Sequence, residues 1–290
     1  HVREGLISFG EDIIIILTKI FEDTEIDRGI KLAIPKVLAM IDSQKSVNTL
    51  MNNLDIMDLE LRYEIIKALN KLRAKFPTLK FDPHVIQKRV LDEIELYKSI
   101  LRAWLNQNEI LLTAQRKSGD KTLPDSDKKA RLLLIFALEE KLDKNLERVF
   151  RLLGMKYPPK DMVNAYLGLM SQAAKLKAIA IEFLDNILET RLKRILIPLV
   201  EEGRPERVVE SKSRQARGEK FDEFESIQSL LLSQDNWIKA CTIYLNAALN
   251  YRQFYDSIQE LTHSNDPIVS ETAELYLRRL GSQQDLTTEG

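Results

Sequence analysis

With 290 residues, 44% apolar and 30% charged, the chain excludes a disordered protein and is long enough to bury a sizeable core. A net charge of −1 excludes a general nucleic-acid binder, so any electrostatic partner must meet a local patch. Ten glycines and nine prolines are too few for the turns of an all-β domain, and a single cysteine, Cys241, excludes an internal disulfide and all but excludes a cysteine-based zinc site.

The first predicted helix, 11–22, holds the run Ile13-Ile14-Ile15-Ile16-Leu17. That run falls well short of the ~18–20 uninterrupted apolar residues of a membrane span, and Asp12 and Lys19 flank it. No signal peptide is readable. Apolar residues then recur at spacings of three and four, which predicts helices over 27–42, 44–53, 58–75, 83–115, 126–153, 159–170, 173–190, 191–201, 221–233, 236–249, 251–262 and 267–280. Asp27, Ser43, Asp58, Asp82, Asp235 and Asp266 stand at helix starts, where their side chains can accept from the free N–H groups of the first turn. Pro83 and Pro267 follow two of these caps. Gly154 ahead of Tyr157-Pro158-Pro159 marks a helix end and a rigid turn, and Gly281 a C-terminal stop. Most connectors are short, so neighbouring helices should pack antiparallel. Two are long and charged, RKSGDKTLPDSDKK at 116–129 and GRPERVVESKSRQARGEKFD at 203–222, and are expected to be mobile loops.

An internal repeat runs through this pattern. At an offset of 31 residues, Asp27 matches Asp58, and Ile30/Leu61, Lys31/Arg62, Ile34/Ile65, Leu38/Leu69 and Ile41/Leu72 coincide. The same offset relates Asp235 to Asp266, Ile238 to Val269 and Leu249 to Leu280. A cap followed by apolar residues at fixed steps describes a helix that buries one face on each neighbour, and such units stack because one pair cannot close its own core. The fold expected is all-α: an α-solenoid of HEAT-like antiparallel helix pairs, with 83–115 and 126–153 as a long inserted helical hairpin. The expected divisions are N-terminal repeats at 1–82, central long helices and irregular repeats at 83–202, a flexible charged linker at 203–222, C-terminal repeats at 223–281 and a disordered tail at 282–290.

Five segments, taken in order, narrow the reading: IPKVLAMID (34–42), LRYEIIKALNKLRAKFP (61–77), LERVFRLLGMKYPPKD (146–161), AIEFLDNILETRLKRILIPLVE (180–201) and SQDNWIKACTIYLNAAL (233–249). Together they resemble the HEAT-repeat cytosolic region of bacterial membrane proteins related to nucleotide (ATP/ADP) translocases of the major-facilitator type. The resemblance spans nearly all of 11–281. It implies a cytosolic helical module of a longer membrane protein, and His1 in place of an initiator fits such a piece. Neither the transporter's membrane helices nor the Gly-bearing phosphate cassette of a cyclic-nucleotide domain is present, so no transport residue and no nucleotide pocket carries over.

Candidate sites are few. Glu182, Asp185 and Asn186 share one helix face. Paired carboxylates there could serve acid–base chemistry or hold a hard cation, but no Glu-x-x-His partner motif accompanies them. Arg148, Arg151, Arg191 and Arg194 on adjacent predicted helices make a structural salt-bridge network the expectation, because an acidic face buried between helices needs cations. In the 203–222 segment, Arg204, Arg207, Lys212, Arg214 and Arg217 are candidate contacts for an anionic membrane surface or a partner. Trp104, in the long helix 83–115, is the candidate exposed aromatic contact, whereas Trp237 is expected to pack between repeats. Cys241 reads as a small core residue. No phosphate loop, nucleophile elbow, HExxH or EF-hand loop is present. The reading is a non-enzymatic interaction or coupling module without cofactor or metal. Its partner would be another protein or adjoining domains of the same chain, in the cytoplasm or on the cytosolic face of a membrane. The alternatives are a free cytosolic HEAT-like scaffold and, behind it, a metal-dependent enzyme using Glu182 and Asp185.

Overall fold

The computed structural model describes residue 5 and residues 9–116, 123–202 and 222–288. Within them the regular structure is helical, with no strand, so the chain is all-α. The helices are α1 (Asp12–Glu22), α2 (Arg28–Leu38), α3 (Gln44–Asn52), α4 (Leu59–Lys75), α5 (Pro83–Arg116), α6 (Asp125–Lys156), α7 (Pro159–Met170), α8 (Ala174–Ile187), α9 (Thr190–Glu202), α10 (Glu223–Leu231), α11 (Asn236–Leu249), α12 (Tyr255–Glu260) and α13 (Pro267–Thr288). A 3₁₀ turn, Leu261–His263, follows α12.

The cap residues set the starts. The Asp27 carboxylate accepts from the N–H groups of Gly29 and Ile30, and Asp58 from those of Glu60 and Leu61. Ser43, Asp82, Asp222, Asp235 and Asp266 accept first-turn N–H groups in the same way. Four expected ends move. Gly154 sits inside α6, where a Cβ would come within 3.3 Å of the Asn70 side chain, so that glycine marks close helix packing. Gly281 likewise lies inside α13, which runs on to Thr288 through most of the segment expected to be a disordered tail. The helix expected from 251 begins only at Tyr255, because Asn250 ends α11 in the left-handed conformation (φ 58°) and turns the chain. The helix expected from 126 starts at Asp125, so it takes the last residues of the connector expected at 116–129, and Lys129 pairs with Asp125 at 2.7 Å in its first turn.

The packing draws different divisions from those expected. One compact unit takes residues 1–96 and 144–201, and the second takes 97–143 and 202–290. Both α5 and α6 therefore contribute to both units, since the boundaries fall within them.

In the first unit α2 packs on α4 as well as on the intervening α3, and α7 packs on α8. Its core takes Ile14 and Leu17 from α1, Ile34 and Leu38 from α2, Leu50 from α3, and Ile65, Leu69 and Leu72 from α4. The expected repeat positions Ile34/Ile65, Leu38/Leu69 and Ile41/Leu72 are all buried; Ile30 departs from its counterpart Leu61 by facing solvent, and Lys31 is half-buried where Arg62 is buried. In the second unit α11 packs on α13 across α12, and Ile238 and Val269 are both buried.

One contact recurs in both units. Arg28, the first residue of α2, donates to the Asp58 cap of α4, with Nη2 to Oδ1 at 3.0 Å. Asn236, the first residue of α11, donates from Nδ2 to the Asp266 cap of α13 at 2.8 Å. Each pair is 30 residues apart. The Asp58 carboxyl is raised by partial burial, but the Arg28 hydrogen bond and the Leu61 and Glu60 N–H groups outweigh this and hold it below the ordinary 3.8. A lowered native pKa contributes stability that is present above 3.8 and lost as pH falls through the native value. Asp58→Asn, which keeps a cap acceptor, is expected to cost about 1 kcal/mol or less at pH 7 and progressively less as the pH falls below 3.8. Thermal melts of both proteins across that range check this; a difference that grows towards low pH refutes it.

Candidate functional site

The face expected to form a buried acidic network lies outward. Lys177, Ala180, Leu184 and Leu188 fall at steps of three and four and turn into the protein. That leaves Glu182 and Asn186 exposed and Asp185 half-buried on α8. Asp185 Oδ2 pairs with Lys193 Nζ at 2.7 Å. Arg191 and Arg194 are exposed on α9. Arg151 pairs with Glu147 at 2.6 Å and lies over the Tyr63 ring, 5.5 Å from its centroid. Among the described residues no ion pair joins Glu182 or Asp185 to Arg148, Arg151, Arg191 or Arg194, so the expected network is corrected. Carboxylates at a solvated face need no buried cations.

Arg148 instead belongs to a buried cluster in the first unit, centred on Glu93. The Glu93 side chain, 1% exposed, sits on the apolar stripe of α5 that includes Ile86, Val90, Ile94 and Tyr97. Its Oε1 accepts from Arg62 Nη1 at 3.0 Å; its Oε2 accepts from Asn145 Nδ2 at 2.6 Å and from Arg148 Nε at 2.9 Å. Arg62 also donates from Nε to the Ile56 carbonyl at 3.0 Å. One carboxylate thus ties α4, α5 and α6 together. Two guanidiniums share it, an arrangement stable only while the acidic member is present. Its donors fill both oxygens, which suits a fixed joint rather than a base awaiting a substrate. Sequence reading missed Glu93. The available signal was a charge on an otherwise apolar helix stripe, 31 residues after Arg62 and so at the repeat spacing.

The second unit has a counterpart. Arg131, buried on α6, donates from Nη1 to Gln107 Oε1 of α5 at 2.7 Å and to Glu223 Oε1 of α10 at 2.6 Å. The Tyr251 hydroxyl donates to Glu223 Oε2 at 3.1 Å. Burial, then the nearby Glu223 charge, raises the Tyr251 pKa. Lys141 of α6 pairs with the Asp235 cap of α11 at 2.6 Å.

The tryptophans exchange their expected places. Trp104 is 2% exposed and donates from Nε1 to Glu139 Oε1 at 3.0 Å, so it is a core residue and not a partner contact. Its neighbours Leu101 and Ala103 are buried with it, as the wide apolar stripe of this part of α5 requires. Trp237, expected between repeats, is 42% exposed. It follows the first residue of α11, where Ile238 takes the inward position. Cys241 is buried, and burial followed by the Asp235 charge pushes its thiol up to about 12, which makes it a poor nucleophile. Arg204, Arg207, Lys212, Arg214 and Arg217 lie outside the described residues.

Among the described residues no group of three or more His, Cys, Asp or Glu side chains is placed to hold a metal ion. No helix among them is long and apolar enough to cross a membrane. No protein-family model, curated protein or solved structure matches the chain.

Proposed function

We propose that this chain is a non-enzymatic helical-repeat module: an α-solenoid of HEAT-like pairs that binds a partner protein or couples adjoining domains of a longer membrane protein on its cytosolic face. The observation that carries the reading is the contact from the first residue of one repeat helix to the cap of the next, Arg28 to Asp58 and Asn236 to Asp266, at the same spacing in two separate units. Stacked units of this kind touch mainly their neighbours and present long, firmly supported surfaces. The buried joints at Glu93 and Arg131 support the same reading, because both connect helices and neither offers an open reactive group. The resemblance to the helical region of translocase-like proteins supplies the membrane setting.

An antibody to this region, applied to separated membrane and aqueous extracts of the source cells, tests the coupling reading. A band well above 33.5 kDa in the membrane fraction is expected. A band near 33.5 kDa confined to the aqueous fraction overturns it and leaves a free adaptor.

A further inference from the structure

The outward face of α8 carries exposed apolar side chains between charged ones. Lys175, Ala178, Ile179, Glu182 and Asn186 are all exposed, at steps that make one continuous stripe along the helix. Leu176 is exposed beside it. The neighbouring α7 widens the apolar area. Gly168 of α7 and Ala180 of α8 meet so closely that a Cβ on Gly168 would stand 2.9 Å from the Ala180 Cβ. Leu167 and Ile179 each precede one of these contact residues, and in an antiparallel pair a step of about 100° turns both to the same side. Leu167 and Ile179 are each more than half exposed. Contiguous apolar surface of this kind marks an interaction site.

The charges select the occupant. Lys175 and Glu182 stand about one helical turn on either side of the midpoint between Ala178 and Ile179. Neither forms an ion pair among the described residues, whereas the nearby Asp185 is held by Lys193. An antiparallel copy of α8 about a two-fold axis through that midpoint sets each Lys175 opposite the other copy's Glu182. It also sets each Ile179 against the other's small Ala178, a large-to-small fit that lets the helices approach. A two-fold interface must be self-complementary in this way, with residue i meeting j and j meeting i. A parallel copy in register would oppose like charges. We infer that the chain forms a two-fold homodimer through antiparallel packing of α8, with Lys175–Glu182 pairs closing both ends of the contact. The inference does not depend on the repeat or membrane reading.

Sedimentation equilibrium of the full chain tests it. The wild type is expected to dimerise at micromolar concentration. Lys175→Glu and Glu182→Lys, each creating two like-charge contacts, are each expected to weaken dimerisation by roughly tenfold or more. The double variant Lys175→Glu/Glu182→Lys, which only exchanges the pairs, is expected to restore it. Ile179→Asp is expected to give a monomer with unchanged far-UV circular dichroism, because the site is on the surface. A monomeric wild type at 100 μM overturns the proposal and leaves the face to a different partner. A dimer insensitive to both single reversals, or one that the double reversal fails to restore, also overturns it.

Discussion

Replacing Glu93 by Leu is expected to destabilise the first unit by about 3–5 kcal/mol, the usual cost of removing one partner from a buried ion pair. The reason is specific to this geometry. Arg62 and Arg148 are both nearly fully buried and both point at the same carboxylate. Without it, two cations remain in an apolar setting with Asn145 Nδ2 also unpaired. Urea unfolding followed by circular dichroism measures the loss, with the slope compared to confirm that the transition stays the same. The triple variant Arg62→Met/Glu93→Leu/Arg148→Leu separates the two meanings of such a network. Removing every charge together is expected to recover most of the stability, because the pair's Coulomb gain largely offsets its desolvation cost. A single Glu93→Leu change costing under 1 kcal/mol would show that the cluster is not a joint.

Replacing Trp104 by Ala is expected to cost the second unit about 3–5 kcal/mol, the range for deleting a large buried aromatic ring. Trp104→Phe keeps much of the packing and loses the hydrogen bond to Glu139, so a smaller cost of about 1–2 kcal/mol is expected. The two tryptophans give an independent check. With Trp237 changed to Phe, the emission of Trp104 is expected to be blue-shifted and poorly quenched by acrylamide. With Trp104 changed to Phe, the remaining emission is expected to be red-shifted and readily quenched, as 42% exposure requires. Reversed spectra would return Trp104 to the surface.

The corrections at the α8 face and at Trp104 share a physical origin. Helix periodicity shows which residues share a face, because 3.6 residues complete a turn whatever surrounds it. It does not say which face meets the protein when both carry apolar residues. In α8 one stripe reads Lys177, Ala180, Leu184 and Leu188, and the other Lys175, Ala178, Ile179 and Glu182. Lys177 on the first weakens its apolar signal, and Ile179 on the second strengthens it. Packing chose the first. The same ambiguity turned Trp104 inward. In α4, by contrast, Leu61, Ile65, Leu69 and Leu72 form the dominant stripe, and all are buried.

By itself, the amino-acid sequence determined the helical class, the position of nearly every helix and the caps that start them. These depend on interactions within a few residues: an Asp accepting first-turn N–H groups, a proline that suits a helix start, an apolar residue every three or four. It also carried the 31-residue recurrence that places Arg28 near Asp58 and Asn236 near Asp266. Only the tertiary structure decided that Glu93 holds Arg62 and Arg148, that α5 and α6 are each shared by two compact units, and that Glu182 faces water beside Ile179. Those outcomes depend on which distant helices come together: a charge on the apolar stripe of α5 signals a buried partner but does not say that Arg148, 55 positions away, is one of them.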